Sequence, residues 1–201
     1  MSRLVLFLGI SILLATLGVA CEGPIDPGKD SATHPSGELT EGQIKDPEQA
    51  NDELVPDTLP VDEPNENHPV AAAIALFPPR ARAGEVLTLV VQIKTAPRWH
   101  IYATRALSGT GIPTTLKLQL PSGVEAFGDW SSPPPHPGVG GQGPIYEGSV
   151  KFTRRLAISR QMMSRPINVN CELGYQACDP FSCRPPETMP LKATAEIVQA
   201  P

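Results

Sequence analysis

The run Thr114-Thr115-Leu116-Lys117-Leu118-Gln119-Leu120 places leucine at every second position and stops at Pro121-Ser122-Gly123. Alternation of apolar and polar residues with a period of two is the mark of a strand with one face buried, and the Pro-Ser-Gly that follows is turn chemistry. The same texture recurs on either side. Residues 85–94 (EVLTLVVQIK) and 149–158 (SVKFTRRLAI) are rich in β-branched residues, and 166–173 (PINVNCEL) and 189–198 (MPLKATAEIV) alternate. Residues 71–77 form an apolar run that ends at Pro78-Pro79, and Trp99-His100-Ile101-Tyr102 is a short aromatic segment. No stretch shows a convincing 3.6-residue period, and there is no internal repeat. Short strands punctuated by Pro and Gly predict an all-β protein, an antiparallel β-sandwich over residues 70–201.

The remainder of the chain is organised differently. Met1-Ser2-Arg3 and the apolar run 4–17 read as the n-region and h-region of an export signal spanning residues 1–20, too short for a membrane span. It ends in Leu17-Gly18-Val19-Ala20-Cys21, similar to a bacterial lipoprotein signal, with Gly18 where that pattern usually carries leucine. Lipidation at Cys21 is therefore expected; ordinary cleavage leaving a free thiol is the alternative. Residues 22–69 hold 13 of the 21 acidic residues and only Lys29 and Lys45 among the bases. Acids, prolines and small polar residues without an apolar pattern predict a disordered tether over 21–69, with no role for His34 or His68. Residues 70–201 keep 8 acids against 13 bases, and these charges form no basic helix or aromatic–basic run of the kind that binds nucleic acid.

Four cysteines carry the chemistry. Cys178 and Cys183 lie five apart around Asp179-Pro180, with Pro185-Pro186 following. A disulfide closing so small a ring contributes about 2 kcal/mol by loop-closure entropy, against more than about 4 for a hundred-residue ring. Spacing alone leaves a local staple and a redox switch equally open. With Cys21 lipidated, three cysteines remain, and an odd number in an exported chain implies an inert buried thiol or one engaged in exchange. Cys171, within Val169-Asn170-Cys171-Glu172, fits a packed strand position. No C-x-x-C motif or helix is present to lower a thiol pKa, and Asp179 opposes thiolate formation beside it, so the pair is expected to react through docking with a partner. Residues 128–144, containing Trp130, Pro133-Pro134-Pro135 and glycines 138, 140, 141 and 143, predict a long irregular loop, either a lid or a surface insertion. A copper or zinc site could be drafted from Cys178, Cys183 and His100 or His136 with Met162 and Met163, but the spacing fits no established pattern. Neither a phosphate loop nor a serine nucleophile elbow is found, and no cofactor is expected.

The string Tyr175-Gln176-Ala177-Cys178, followed by Cys183 and Pro185-Pro186-Glu187-Thr188, resembles the N-terminal periplasmic domain of the thiol:disulfide interchange protein DsbD. Weaker matches follow in order: 99–102, Pro113-Thr114, the turn at 120–123 and Ile145-Tyr146-Glu147-Gly148. The resemblance implies an immunoglobulin-like sandwich and a redox pair, Cys183 forming mixed disulfides with partners and Cys178 resolving them. It implies a cap at Ile145 and Tyr146, where the family carries an aromatic residue, and site-lining roles for Tyr102 and Tyr175. The cysteine spacing is one residue shorter than in the best-known members. The implied donor is a thioredoxin-like domain or membrane electron transporter, and the acceptors are periplasmic thioredoxin-fold oxidoreductases. Because the resemblance covers one domain, a stand-alone periplasmic carrier anchored to the membrane by lipid is expected. The alternatives are a non-catalytic lipoprotein binding module with a structural disulfide and, third, a copper-binding lipoprotein.

Overall fold

A computed structural model describes residues 55–105, 111–138 and 143–199. The expected signal at 1–20, the lipidation site Cys21 and the tether as far as residue 54 lie outside the described residues, as do 139–142 within the glycine-rich stretch. Among the described residues there are twelve strands and no helix: β1 (Val70–Phe77), β2 (Arg80–Arg82), β3 (Val86–Thr95), β4 (His100–Tyr102), β5 (Thr115–Gln119), β6 (Val124–Ser131), β7 (His136–Pro137), β8 (Pro144–Glu147), β9 (Ser149–Ile158), β10 (Arg165–Tyr175), β11 (Ala177–Cys178) and β12 (Glu187–Val198).

Two four-stranded sheets, ordered β1-β3-β9-β6 and β2-β12-β10-β5, form the sandwich, and every pairing in them is antiparallel except β2 with β12. Period-two patterning supplies the core. Leu87, Leu89, Val91 and Ile93 of β3 lie beside Val150, Phe152 and Leu156 of β9, and opposite them stand Ile167, Val169, Cys171 and Leu173 of β10 with Ala193, Ala195 and Ile197 of β12, all buried. The predicted strands over 71–77, 85–94, 114–120, 149–158, 166–173 and 189–198 are all present, with ends shifted by a few residues. After β5 the chain reverses at Pro121-Ser122-Gly123, where Gly123 takes a left-handed φ of 84° and the Val124 amide donates to the Pro121 carbonyl.

Two regions differ from expectation. Residues 55–69, expected as part of a disordered tether, lie along the domain. Val55, Leu59 and Val61 are half-buried, Lys94 pairs with Glu63, and Lys151 Nζ donates to the Pro56 carbonyl at 3.2 Å. Three apolar residues within seven give this end of the acidic segment something to bury, and Lys94 meets the charge of Glu63. The stretch 128–144 is not a single irregular loop. It contains the end of β6, which is irregular between Phe127 and Ser131, and the two-stranded β7–β8 ribbon. That irregularity turns Trp130 onto the core, where it packs against both hydrophobic clusters and under the Arg154 guanidinium, 5.8 Å from the ring centre.

Phe152 is fully buried in the core cluster that also holds Val91, Ile101 and Leu173, in edge-on contact with Tyr146. Its truncation to alanine is expected to lower the unfolding free energy by about 3–5 kcal/mol, read as a shift in the urea midpoint at constant slope.

Candidate redox site on the small third sheet

A third sheet, ordered β11-β4-β8-β7, sits at one end of the sandwich. Opposed residues of an antiparallel pair share a face, so the registers sort the side chains. Ile101 pairs with Ala177 and with Tyr146, and all three belong to the main core. On the other face, His100 pairs with Cys178 and with Glu147, and Tyr102 pairs with Ile145. There Tyr102, Ile145 and Cys178 form a separate small apolar cluster.

Cys178 and Cys183 are joined in a disulfide with their Cα atoms 4.0 Å apart. They oppose each other in a hairpin, flanked by hydrogen bonds from the Asp179 amide to the Ser182 carbonyl and from the Arg184 amide to the Ala177 carbonyl, both 2.9 Å. This makes them a non-hydrogen-bonded pair, the arrangement in which opposed side chains come closest. The turn is built by Asp179-Pro180: the Asp179 carboxylate accepts from the Phe181 and Ser182 amides at 2.7 Å each, which holds its carboxyl below the usual carboxylate range. The two sulfurs are unequal in exposure. Cys178 is fully buried, whereas Cys183 is exposed. Phe181, at the hairpin tip, is 84% exposed, with Arg98 over its ring.

Tyr102 holds the inner side. Its hydroxyl lies 3.8 Å from Cys178 Sγ and 4.0 Å from Cys183 Sγ and is the donor to both, since sulfurs in a disulfide carry no proton. Its ring is wedged by Gly111, where a Cβ would come within 1.8 Å of a ring carbon, so a larger residue would displace one or the other. Its carbonyl accepts from the amide and hydroxyl of buried Thr114. His100 stands edge-on to this ring at 5.7 Å and is buried, with Nε2 lacking a hydrogen-bond partner among the described residues. Burial holds its pKa below 6.5, against the opposing pull of Glu147 and Asp179.

Of the residues singled out in the sequence, Cys178, Cys183, Tyr102 and Ile145 come together. Tyr146 and Tyr175, expected as cap and site-lining residues, are directed by strand parity into the core. Tyr146 lies on the face opposite Ile145, within the core, its hydroxyl 3.0 Å from Ser132 Oγ. Tyr175 shares parity with Cys171 and Leu173 and is buried with them, donating to Glu187 at 3.0 Å; burial, and then that bond, push its pKa up. Free Cys171 is buried in the same core, and burial with Glu172 pushes its thiol up to about 11. The drafted metal site is not assembled. Met162 is buried in the second core cluster, Met163 is exposed, and among the described residues no three His, Cys, Asp or Glu side chains are grouped to hold a metal ion. Sequence reasoning assigns no bracing or redox-site role to three residues that hold the hairpin and the site. Gln176 accepts from the Ile112 amide and donates to the Arg184 carbonyl. Arg184 lies over Trp99 and donates to the Asn67 and Glu66 carbonyls. His100 was detectable from its parity with Tyr102.

The family model for the N-terminal part of the thiol:disulfide interchange protein DsbD matches residues 66–194. Among solved structures, the N-terminal periplasmic domain of ScsB from Proteus mirabilis aligns at 20% identity and a TM-score of 0.39, over 61% of this chain and 44% of that one. The reduced N-terminal domain of DsbD from Neisseria meningitidis aligns at 15% identity and a TM-score of 0.35, over 54% and 80%. The GAE domain of GGA2p from Saccharomyces cerevisiae aligns at 8% and 0.35, over 66% and 94%. The chain thus spans less than half the length of the ScsB structure. No curated protein matches.

The depressed pKa of His100 sets a sign for stability against pH. As pH falls below about 6.5, the unfolded chain takes up a proton that the folded site refuses, so stability declines, by at most about 1.4 kcal/mol per pH unit. Asp179, with its lowered carboxyl pKa, acts only below the ordinary carboxylate value of 3.8. Urea midpoints measured at about pH 7.5 and about pH 5.5 should fall in the wild type and fall less in His100→Gln.

Proposed function

The chain belongs to the family of the DsbD N-terminal domain, and from that premise we propose that it carries electrons in the periplasm by thiol–disulfide exchange through Cys178 and Cys183. A reduced thioredoxin-like donor, itself supplied from the membrane, attacks Cys183 Sγ. The Cys178–Cys183 bond breaks, its electron pair goes to Cys178 Sγ, and a second donor thiol releases the protein as a dithiol. In the next half-cycle the Cys183 thiolate attacks the disulfide of a periplasmic thioredoxin-fold oxidoreductase. Cys178 then resolves the mixed disulfide by bonding to Cys183, and the acceptor leaves reduced. Two electrons pass in each half-cycle and no cofactor is required.

The observation that supports these roles most is the inequality of the two sulfurs. Attack needs an approach to sulfur along the S–S axis, and only Cys183 is exposed; Cys178 lies beneath Tyr102 and Ile145. Ile145 takes the place of the family's aromatic cap, screening the pair on its inner side while the Cys183 side stays open to a docked partner. Lipidation at Cys21 would hold the domain to a membrane through the acidic segment, placing it near its donor.

Exchange through Cys183 is tested by trapping. Cys178→Ser, incubated with an oxidised thioredoxin-fold protein, should accumulate a mixed disulfide at Cys183, visible on non-reducing gels and assigned by peptide mass. Cys183→Ser should accumulate far less. Equal capture by the two variants, or a wild-type pair that stays oxidised with excess reduced thioredoxin, would overturn the assignment in favour of a structural disulfide.

A further inference from the structure

The exchange cycle leaves one step without chemical provision. When Cys178 resolves a mixed disulfide it must first lose its thiol proton, and it is fully buried. Burial disfavours a thiolate, and water is not at hand to take the proton. The Tyr102 hydroxyl lies 3.8 Å from Cys178 Sγ and is already committed as the donor toward the sulfurs.

Resting on that reading of the cycle, we infer that His100 is the proton acceptor for Cys178, taking its thiol proton as Cys178 attacks Cys183 and returning it when the attack runs in reverse. Two observations independent of titration support this. The register places His100 directly across from Cys178 on adjacent strands, on the face shared with Tyr102 and away from the core. Cross-strand partners hold their Cβ atoms about 4.5–5.5 Å apart, within reach of a thiol and an imidazole. Second, His100 is 5% exposed and its Nε2 is buried without a hydrogen-bond partner among the described residues. A buried ring nitrogen left unpaired costs stability that any structural role for this histidine would have recovered by hydrogen bonding. With the ring proton on Nδ1, this nitrogen presents a free lone pair to accept a proton.

The charges around the ring are consistent with that task. Burial keeps the imidazole neutral, as a base must be, while Glu147 across on β8 and Asp179 in the turn after β11 favour the imidazolium once it forms. Tyr102, on β4 itself, is the other titratable group against the ring. In the step as written, a bond forms between Cys178 Sγ and Cys183 Sγ, and the bond from Cys183 Sγ to the partner sulfur breaks. The electron pair leaves with the partner's sulfur as a thiolate, and the proton moves from Cys178 to His100. This is general base catalysis.

The test separates the two halves of one turnover. Fully reduced full-length protein is mixed with 5,5′-dithiobis(2-nitrobenzoate), quenched in acid at intervals, and mapped by mass for the Cys183 mixed disulfide and the closed Cys178–Cys183 disulfide. In His100→Gln, formation of the mixed disulfide should match the wild type within about twofold, while its closure at neutral pH should slow by about tenfold or more. The closure rate of the wild type should level off above an inflection below about pH 6.5, and that of the variant should keep rising into the thiol range. Closure that is equally fast in His100→Gln with an unshifted pH profile would overturn the role of His100 and leave exchange intact. Failure of the wild type to form any mixed disulfide at Cys183 would instead overturn the exchange reading. If the variant does not fold, the wild-type profile decides: an inflection only in the thiol range overturns the proposal.

Discussion

Strand β4 is three residues long, and both halves of the molecule depend on its facing two ways. Ile101 points into the sandwich with Tyr146 and Ala177, while His100 and Tyr102 point out beneath the disulfide. Because side chains alternate along a strand, the hydrophobic demand on one residue fixes the direction of its two neighbours. Burying Ile101 is therefore also what aims Tyr102 at the two sulfurs and sets His100 against Cys178. A slip of one residue would turn His100 and Tyr102 into the sandwich and Ile101 toward the disulfide. The site is as well registered as the core, since one ladder determines both.

The cysteine string gains a physical reading from this geometry. Tyr175 ends the inward series of β10 and fastens to Glu187 across the ladder, so the strands on either side of the hairpin are tied at its base. Gln176 joins the hairpin to the loop that carries Gly111 against Tyr102, and Arg184 joins it to Trp99 and to the chain at 66–67. Asp179-Pro180 shapes the turn, so the two sulfurs meet with little freedom. Tyr175, Gln176 and Glu187 of the string brace the hairpin that carries the pair, which is why the string is informative beyond the spacing of its cysteines.

Much of this was legible in the sequence because period two is a strong signal wherever one face of a strand is buried and the other is wet. The strands over 85–94, 149–158 and 166–173 fulfil that condition. It is weaker in β6, where Gly128 and the irregularity before Ser131 interrupt the alternation, and in the two-residue strands β7 and β11, which carry too few residues to show a period. The same rule, applied more strictly, separates the aromatics correctly: Ile145 and Tyr146 are neighbours and cannot both cap one site, and Tyr175 follows the parity of Leu173. What no periodicity conveys is Cys178 meeting His100, a pairing between strands more than seventy residues apart. The order along 55–69 was hidden for a related reason, since its few apolar residues find their partners only on the folded domain.

The division of faces also explains how a disulfide can open without loosening the fold. Closing a six-residue ring restricts the unfolded chain little, so reduction removes only about 2 kcal/mol. The apolar burial that holds the sandwich lies on the other side of β4, around Phe152, Val91 and Leu173. Neither sulfur contributes to that cluster. The hairpin is also held by bonds other than the disulfide, namely the hydrogen bonds on either side of the pair and the Asp179 turn. A staple would have been placed to close a long loop across the two sheets; this pair sits where opening it costs the sandwich least.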